Sequence, residues 1–178
     1  MSGRRGMIHG RFQPFHLGHL DYLRGAAERS DEVWVGITNP DPTHVKPEPS
    51  DALRHLPESN PWSYTERLLM VEAAAADLGL DPRAVHVTPF PVNEPELWPA
   101  YVPAGVTQYL RLFSEWGGTK LHRLREAGYA VVVLDEGAEQ EISGADVRAA
   151  MREGRDWERL VPAGVARVLR SLDSPPRS

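Results

Sequence analysis

His16 and His19 stand three residues apart in HGRFQPFHLGH (His9–His19), with Gly18 between them and Arg11 just upstream. At spacing i, i+3 the two imidazoles share a face if a helix begins near Phe15. Pro14 suits such a start, because the first helical turn needs no N–H from it. Gly18 leaves the face between the histidines bare, so a ligand can approach the backbone. A helix N-terminus offers unpaired N–H groups and partial positive charge, which suits an anion such as phosphate. Arg11 and the imidazoles add donors at the same place. Two histidines at this spacing could instead be metal ligands, but no third ligand lies close by and Gly18 and Arg11 go unexplained. The plain alternative is a surface helix start with incidental histidines, and the attached GRFQPF argues against it.

A second group lies far along the chain in ISGADVRAAM, where Ser143 and Asp146 form an S-x-x-D helix cap. A capped N-terminus with spare N–H groups is also a phosphate site, and Arg148, one turn in, could reach the same anion.

The elements that position these groups alternate. Met7–His9 begins a strand, Leu17–Arg29 a helix, and VWVGIT (Val33–Thr38) a second strand. From Asn39 to Pro61 six prolines sit among polar residues, which makes this stretch a loop, and loops of this length are commonly lids, binding loops or disordered. Ser63–Leu78 reads as a helix closed by Gly79, and Ala84–Phe90 as a strand. Residues 106–114 fit either period, and the strand is the preferred reading. Thr119–Gly128 is a helix, AVVVL (Ala130–Leu134) a buried strand, and Ser143–Glu153 and Pro162–Leu172 are helices. The alternation predicts an α/β fold, a Rossmann-like doubly wound parallel sheet with helices on both faces. Such sheets bind ligands at the carboxyl ends of their strands, where HGRFQPFHLGH falls. Residues 1–172 are expected to form one domain and residues 173–178 a disordered tail.

Composition narrows the function classes. With no cysteine there is neither a disulfide framework nor a thiolate metal site. The N-terminus lacks an apolar stretch of signal-peptide length and no run approaches a membrane span, so a cytoplasmic protein without membrane contact is expected. A net charge of −5 argues against nucleic acid as a partner. Only Lys46 and Lys120 are lysines among 20 basic residues; arginine suits planar contact with phosphate or carboxylate, but a GC-rich genome is the preferred reading of the bias. The oligomeric state is left open, a homo-oligomer included.

GRFQPFHLGH resembles the signature of the HxGH nucleotidylyltransferases, and among them the archaeal-type nicotinamide mononucleotide (NMN) adenylyltransferases. The resemblance implies that Gly10, Arg11, Phe12, Phe15, His16, Gly18 and His19 hold a nucleoside triphosphate. It also implies that the histidines stabilise charge developing at the α-phosphorus. ISGADVRAAMREGRDWERLVP (Ile142–Pro162) resembles the family's C-terminal segment and adds Ser143, Gly144 and Arg148, while Ala145 stands where a hydroxyl residue is common. His16, His19, Arg11 and Arg148 are thereby the expected catalytic set. NPWSYTER (Asn60–Arg67) resembles the NPF-type segment before the central helix and places Asn60 and Arg67 at the acceptor, although a helix-surface arginine is an equal reading of Arg67. HRLREAGY (His122–Tyr129) is a weaker match. The likeness extends from about Gly6 to Leu172.

The acceptor side departs from the pattern. Adenylyltransferases of this type carry a Pro-Asp pair and then a tryptophan around the nicotinamide pocket. Here TPFPVNEPELW (Thr88–Trp98) keeps Trp98 but has Val92 at the acidic position, with Asn93 next. The 39–59 loop is longer than usual and carries His44, Lys46, Arg54 and His55, which could clamp an anion or simply be solvated. The chain is similar to the phosphonate-antibiotic variant that attaches CMP to phosphonoformate. The expected reaction is therefore transfer of a nucleoside monophosphate, CMP in preference, from the triphosphate to a small phosphonate or phosphate, releasing pyrophosphate. Mg²⁺ would be held mainly by the substrate. NMN adenylylation from ATP is the second reading. A non-catalytic nucleotide sensor, or a fragment of a tRNA-charging enzyme, fits the intact motifs and acidic charge less well. Nothing in these residues alone selects cytosine over adenine, and base recognition is expected to be largely by backbone.

Overall fold

The computed structural model describes residues 3–45, 47, 53, 55–113, 115–136 and 142–172. Lys46, Arg54 and the 173–178 tail lie outside the described residues. Strands β1 (Arg5–Gly10), β2 (Glu32–Thr38), β3 (Val85–Phe90), β4 (Thr107–Leu112) and β5 (Ala130–Glu136) form one sheet in the order β3-β2-β1-β4-β5. Every neighbouring pair is parallel. Helices α1 (Leu17–Ala27), α2 (Tyr64–Asp77) and α3 (Glu115–Glu126) supply crossovers, and α4 (Gly144–Arg152) and α5 (Ala163–Ser171) follow β5. This is the Rossmann-like sheet that the alternation predicts.

Strand side chains alternate between two cores. Ile8, Val33, Val35, Ile37 and Tyr109 pack with residues of α1, α2, α4 and α5. Met7 and Leu110, one position out of phase, face Leu124 of α3 and Trp98 on the opposite side. The chain steps outward from β1 to β3, then returns to the other flank of β1 for β4 and β5. Strand order thus reverses between β1 and β4, the position at which open sheets of this kind take ligands.

Three expectations need correction. AVVVL reads as a buried strand, yet β5 is the sheet edge, with Val132 41% exposed and no residue from Ala130 to Asp135 buried. An edge strand is paired on one flank only, so apolar composition alone does not bury it. Helix α1 starts at Leu17 rather than near Phe15, because Phe15 turns into the core and His16 keeps an extended backbone (φ −131°, ψ 176°) as the N-cap. Pro14 therefore precedes the helix instead of opening it. Helix α3 begins one turn earlier than Thr119. The strand choice for residues 106–114 and the helix closed by Gly79 (φ +68°) agree with the structure.

Candidate active site

The site begins where β1 ends. After Gly10 the chain turns sharply, and Phe12 adopts a left-handed backbone (φ +52°) that a bulky side chain rarely accepts. Phe12 and Phe15, expected at the nucleotide, are instead fully buried in the core. Their rings flank His19, with centroids 4.9 and 5.4 Å from it. They act as its bed, leaving no face for a ligand.

His16 and His19 stack at 3.7 Å between ring centroids, so the structure does bring the pair together. The His16 N–H donates to His19 Nδ1 at 3.3 Å, which leaves His19 Nε2 to carry the ring proton. Gly18 has a task beyond opening the face: a Cβ there would stand 3.1 Å from His16 Cε1. Glycine therefore makes room for the His16 ring itself.

The C-terminal motif docks on the same loop. Ser143 caps α4, its hydroxyl accepting from the Asp146 N–H at 3.2 Å and donating to Asp146 Oδ2 at 2.6 Å. The capping reading of Ser143 holds, and its hydroxyl is occupied. A Cβ at Gly144 would lie 2.6 Å from the Gln13 carbonyl oxygen, so only glycine allows α4 this close to the loop after β1. Arg148, buried at its base, donates to that Gln13 oxygen. The amide of Gln13 pairs both ways with Trp62, accepting from its N–H at 3.0 Å and donating to its carbonyl at 2.8 Å. Three segments far apart in sequence thus meet on Gln13.

Arg67 is corrected most sharply. It is fully buried, neither on a helix surface nor open to an acceptor. Its guanidinium donates to five backbone carbonyls, those of Ser63, Arg11, Thr38, Asn39 and Pro40, at 2.8 to 3.1 Å. All five N–H donors are spent, so none remains for an acceptor phosphate. Burial pulls this group down to about 10, which still leaves it cationic near neutrality. It ties the loop after β1 to the loop after β2, where Asn39 (φ +48°) is also left-handed.

The other acceptor candidates are also structural. Trp98 is 1% exposed, donates through Nε1 to the Pro91 carbonyl at 2.9 Å and packs on Phe90, so it is core and no pocket wall. Val92 is buried in the same cluster. Asn60 is buried, with its side chain donating to Leu56 O at 3.0 Å. His44 is held by Asp41 at 2.8 Å on the exposed loop.

Both histidines are neutral at pH 7. Burial, opposed by Asp146 and assisted by Arg111, lowers His16 to about 4. Burial, then His16, Arg111, Arg11 and Lys120, push His19 well below its usual value. Unfolded histidine titrates near 6.5, so the unfolded chain binds more protons between that pH and the folded value. Stability is therefore full above about pH 6.5 and falls as the pH drops towards 4. His16 alone should cost about 2 kcal/mol between pH 7 and pH 5, measured by urea unfolding. His16→Asn, which keeps a good N-cap, should flatten that part of the dependence; an unchanged dependence would contradict the burial argument.

Arg111 is the member that motif reading missed. It lies near the carboxyl end of β4, donates to Gly18 O at 2.8 Å and to Asp135 at 2.8 Å, and lies 4.7 Å from the Phe113 ring centroid. No short motif marks it; only the crossing from β1 to β4 brings it to the histidines. Among the described residues no cluster of three or more His, Asp or Glu could hold a metal ion, and no helix is long and apolar enough to cross a membrane. Imidazole and guanidinium donors fit a polyphosphate, not a hard cation.

The chain is 44% identical over 165 residues to the phosphonoformate cytidylyltransferase of Streptomyces viridochromogenes, covering 93% of this chain and 90% of that one. It is 30% identical over 175 residues to the nicotinamide-nucleotide adenylyltransferase of Archaeoglobus fulgidus, covering 95% and 92%. By fold it matches a bifunctional NMN adenylyltransferase/ADP ribose pyrophosphatase from Francisella tularensis with TM-score 0.70 and 16% identity, spanning 97% of this chain and 51% of that one. Residues 7–150 match the cytidylyltransferase-like family, and the chain belongs to it.

Proposed function

We propose that residues 1–172 act as one nucleotidylyltransferase domain that moves CMP from CTP to a small phosphonate such as phosphonoformate. The observation that carries the substrates is the 44% identity to a phosphonoformate cytidylyltransferase over nearly the full length of both chains. The site supports the reaction class independently. His16, His19, Arg11, Gly144 and Arg148 surround the β1 carboxyl end, at the sheet's reversal point.

A phosphonate oxygen attacks the α-phosphorus of CTP as its bond to the β-phosphate oxygen breaks, and pyrophosphate leaves with the electron pair. The attacking oxygen is already anionic, so no general base is required. The task is to hold two polyanions in line and stabilise the transferring group, which positioned donors accomplish. On this reading the neutral His19 donates from Nε2, Arg11 and Arg148 add fixed charge, and the N-terminus of α4 supplies backbone N–H groups. Mg²⁺, held mainly by the substrate, would supply charge neutralisation on the triphosphate. The partners are a nucleoside triphosphate and a small acceptor, and a cytoplasmic location fits the supply of such metabolites.

Burial of Trp98 and Val92 speaks against a nicotinamide pocket at the Thr88–Trp98 segment. The adenylyltransferase reading keeps the support of the relatives at about 30% identity. Pyrophosphate release over four nucleoside triphosphates, crossed with phosphonoformate, phosphonoacetate and NMN, tests the proposal. CTP with phosphonoformate should give the highest kcat/KM; release confined to ATP with NMN would overturn it.

A further inference from the structure

The geometry points to a side-chain reader for the nucleobase, built from Arg111 and Asp135 beside the histidine pair. The inference rests on the nucleotidyl-transfer reading and adds what that reading lacks, a basis for choosing the base.

The pair exists because of an irregularity. Along β4 and β5, Leu110 is opposite Val133, but Arg111 is opposite Asp135, so Leu134 is an extra residue in β5. In regular register Arg111 would face leucine. Bulges of this kind re-aim side chains and cluster near functional sites. Here the shift sets a carboxylate beside a guanidinium at the carboxyl ends of two strands, next to the β1/β4 reversal point.

The guanidinium is held on three sides. Nε donates to Asp135 Oδ2 at 2.8 Å, Nη1 donates to Gly18 O at 2.8 Å, and the Phe113 ring lies 4.7 Å from its centre. The Gly18 contact fixes the pair relative to the histidine grip, since Gly18 lies between His16 and His19. The Arg111 side chain is 20% exposed and that of Asp135 45%, so both reach solvent from a fixed geometry. Asp135 neutralises Arg111, so the pair suits a neutral, polar ligand edge better than a phosphate.

Among the described residues, what remains unspent is an acceptor beside donors: Oδ1 of Asp135, the two N–H groups of Nη2 and the second N–H of Nη1. Cytosine presents the complement, with its amino group for the carboxylate, then N3 and O2 for the guanidinium. On the same edge adenine offers an amino group and N1 but no second acceptor. Uracil reverses the first two positions, setting a carbonyl against the carboxylate and an N–H against the guanidinium. The pair therefore ranks cytosine above adenine and rejects uracil. Mismatched polar groups in such a site carry large discrimination, because each is left unpaired.

The test is equilibrium binding of CTP, ATP and UTP to the full chain by titration calorimetry with no acceptor present. The natural protein should bind CTP more tightly than UTP by roughly 10- to 100-fold. Asp135→Asn should reduce the CTP/UTP ratio by about tenfold or more, chiefly by admitting UTP. Arg111→Gln should reduce it by weakening CTP. Urea midpoints identify which variants are folded, and the exposed Asp135 position tolerates an isosteric amide. If the folded variants change both affinities by one common factor, leaving the ratio intact, the inference is overturned. CTP preference without pyrophosphate release on phosphonoformate would sink the proposed reaction while leaving the base reader standing.

Discussion

His19→Ala will lower kcat/KM for nucleotidyl transfer by about 10²- to 10³-fold while the protein remains folded. The magnitude is that of removing one preorganised donor from a site where charge develops. His19 earns it through placement: Nδ1 accepts from the His16 N–H, and Phe12 and Phe15 pin the ring, so Nε2–H is fixed in direction. Alanine is a strong helix former in the first turn of α1, so the fold should persist. His19→Gln sets an amide N–H near the lost Nε2 and should recover part of the loss. The loss should fall on kcat more than on the KM for CTP, because the donor matters most as charge builds on the transferring group. A His19→Ala enzyme within threefold of the natural one would remove His19 from the mechanism.

Arg67→Met should destabilise the protein by about 4 kcal/mol or more, read from urea unfolding. Methionine matches the side chain's length but leaves five carbonyls on three segments without charge-assisted partners. Two of those segments contain the left-handed residues Phe12 and Asn39, conformations that persist only where surroundings enforce them. Arg67→Lys keeps the charge but has three donors radiating from one point, so it should regain only part of the stability. Any folded fraction of either variant should show weakened CTP binding, since the loop after β1 loses its anchor. A loss below about 1 kcal/mol would show that water replaces the guanidinium without penalty.

The fold was largely legible in the sequence, because strand and helix periods alternate clearly and turn residues punctuate them. The errors have physical causes. AVVVL has the composition of a buried strand, but its position at the sheet edge follows from topology, which local sequence does not encode. HGRFQPFHLGH pointed to an anion site as an expectation, yet it did not show which of its residues face inward. Phe12 and Phe15 proved to be core, and His16 caps the helix instead of lying within it. Arg67 carried the right importance for a different reason, since its five carbonyl partners come from Arg11 through Ser63 and no spacing reveals them. Arg111 gave no signal at all, because its place beside the histidines depends on β4 returning next to β1, and its pairing with Asp135 on one extra residue in β5.

The most direct test of the central claim is a single competition. CTP and ATP at equal concentration, with phosphonoformate and NMN at equal concentration and Mg²⁺ present, are offered to the protein and the products identified by mass spectrometry. CMP joined to phosphonoformate through a phosphonic–phosphoric anhydride should dominate, with one pyrophosphate per product. Predominant formation of the dinucleotide from ATP and NMN would contradict the account.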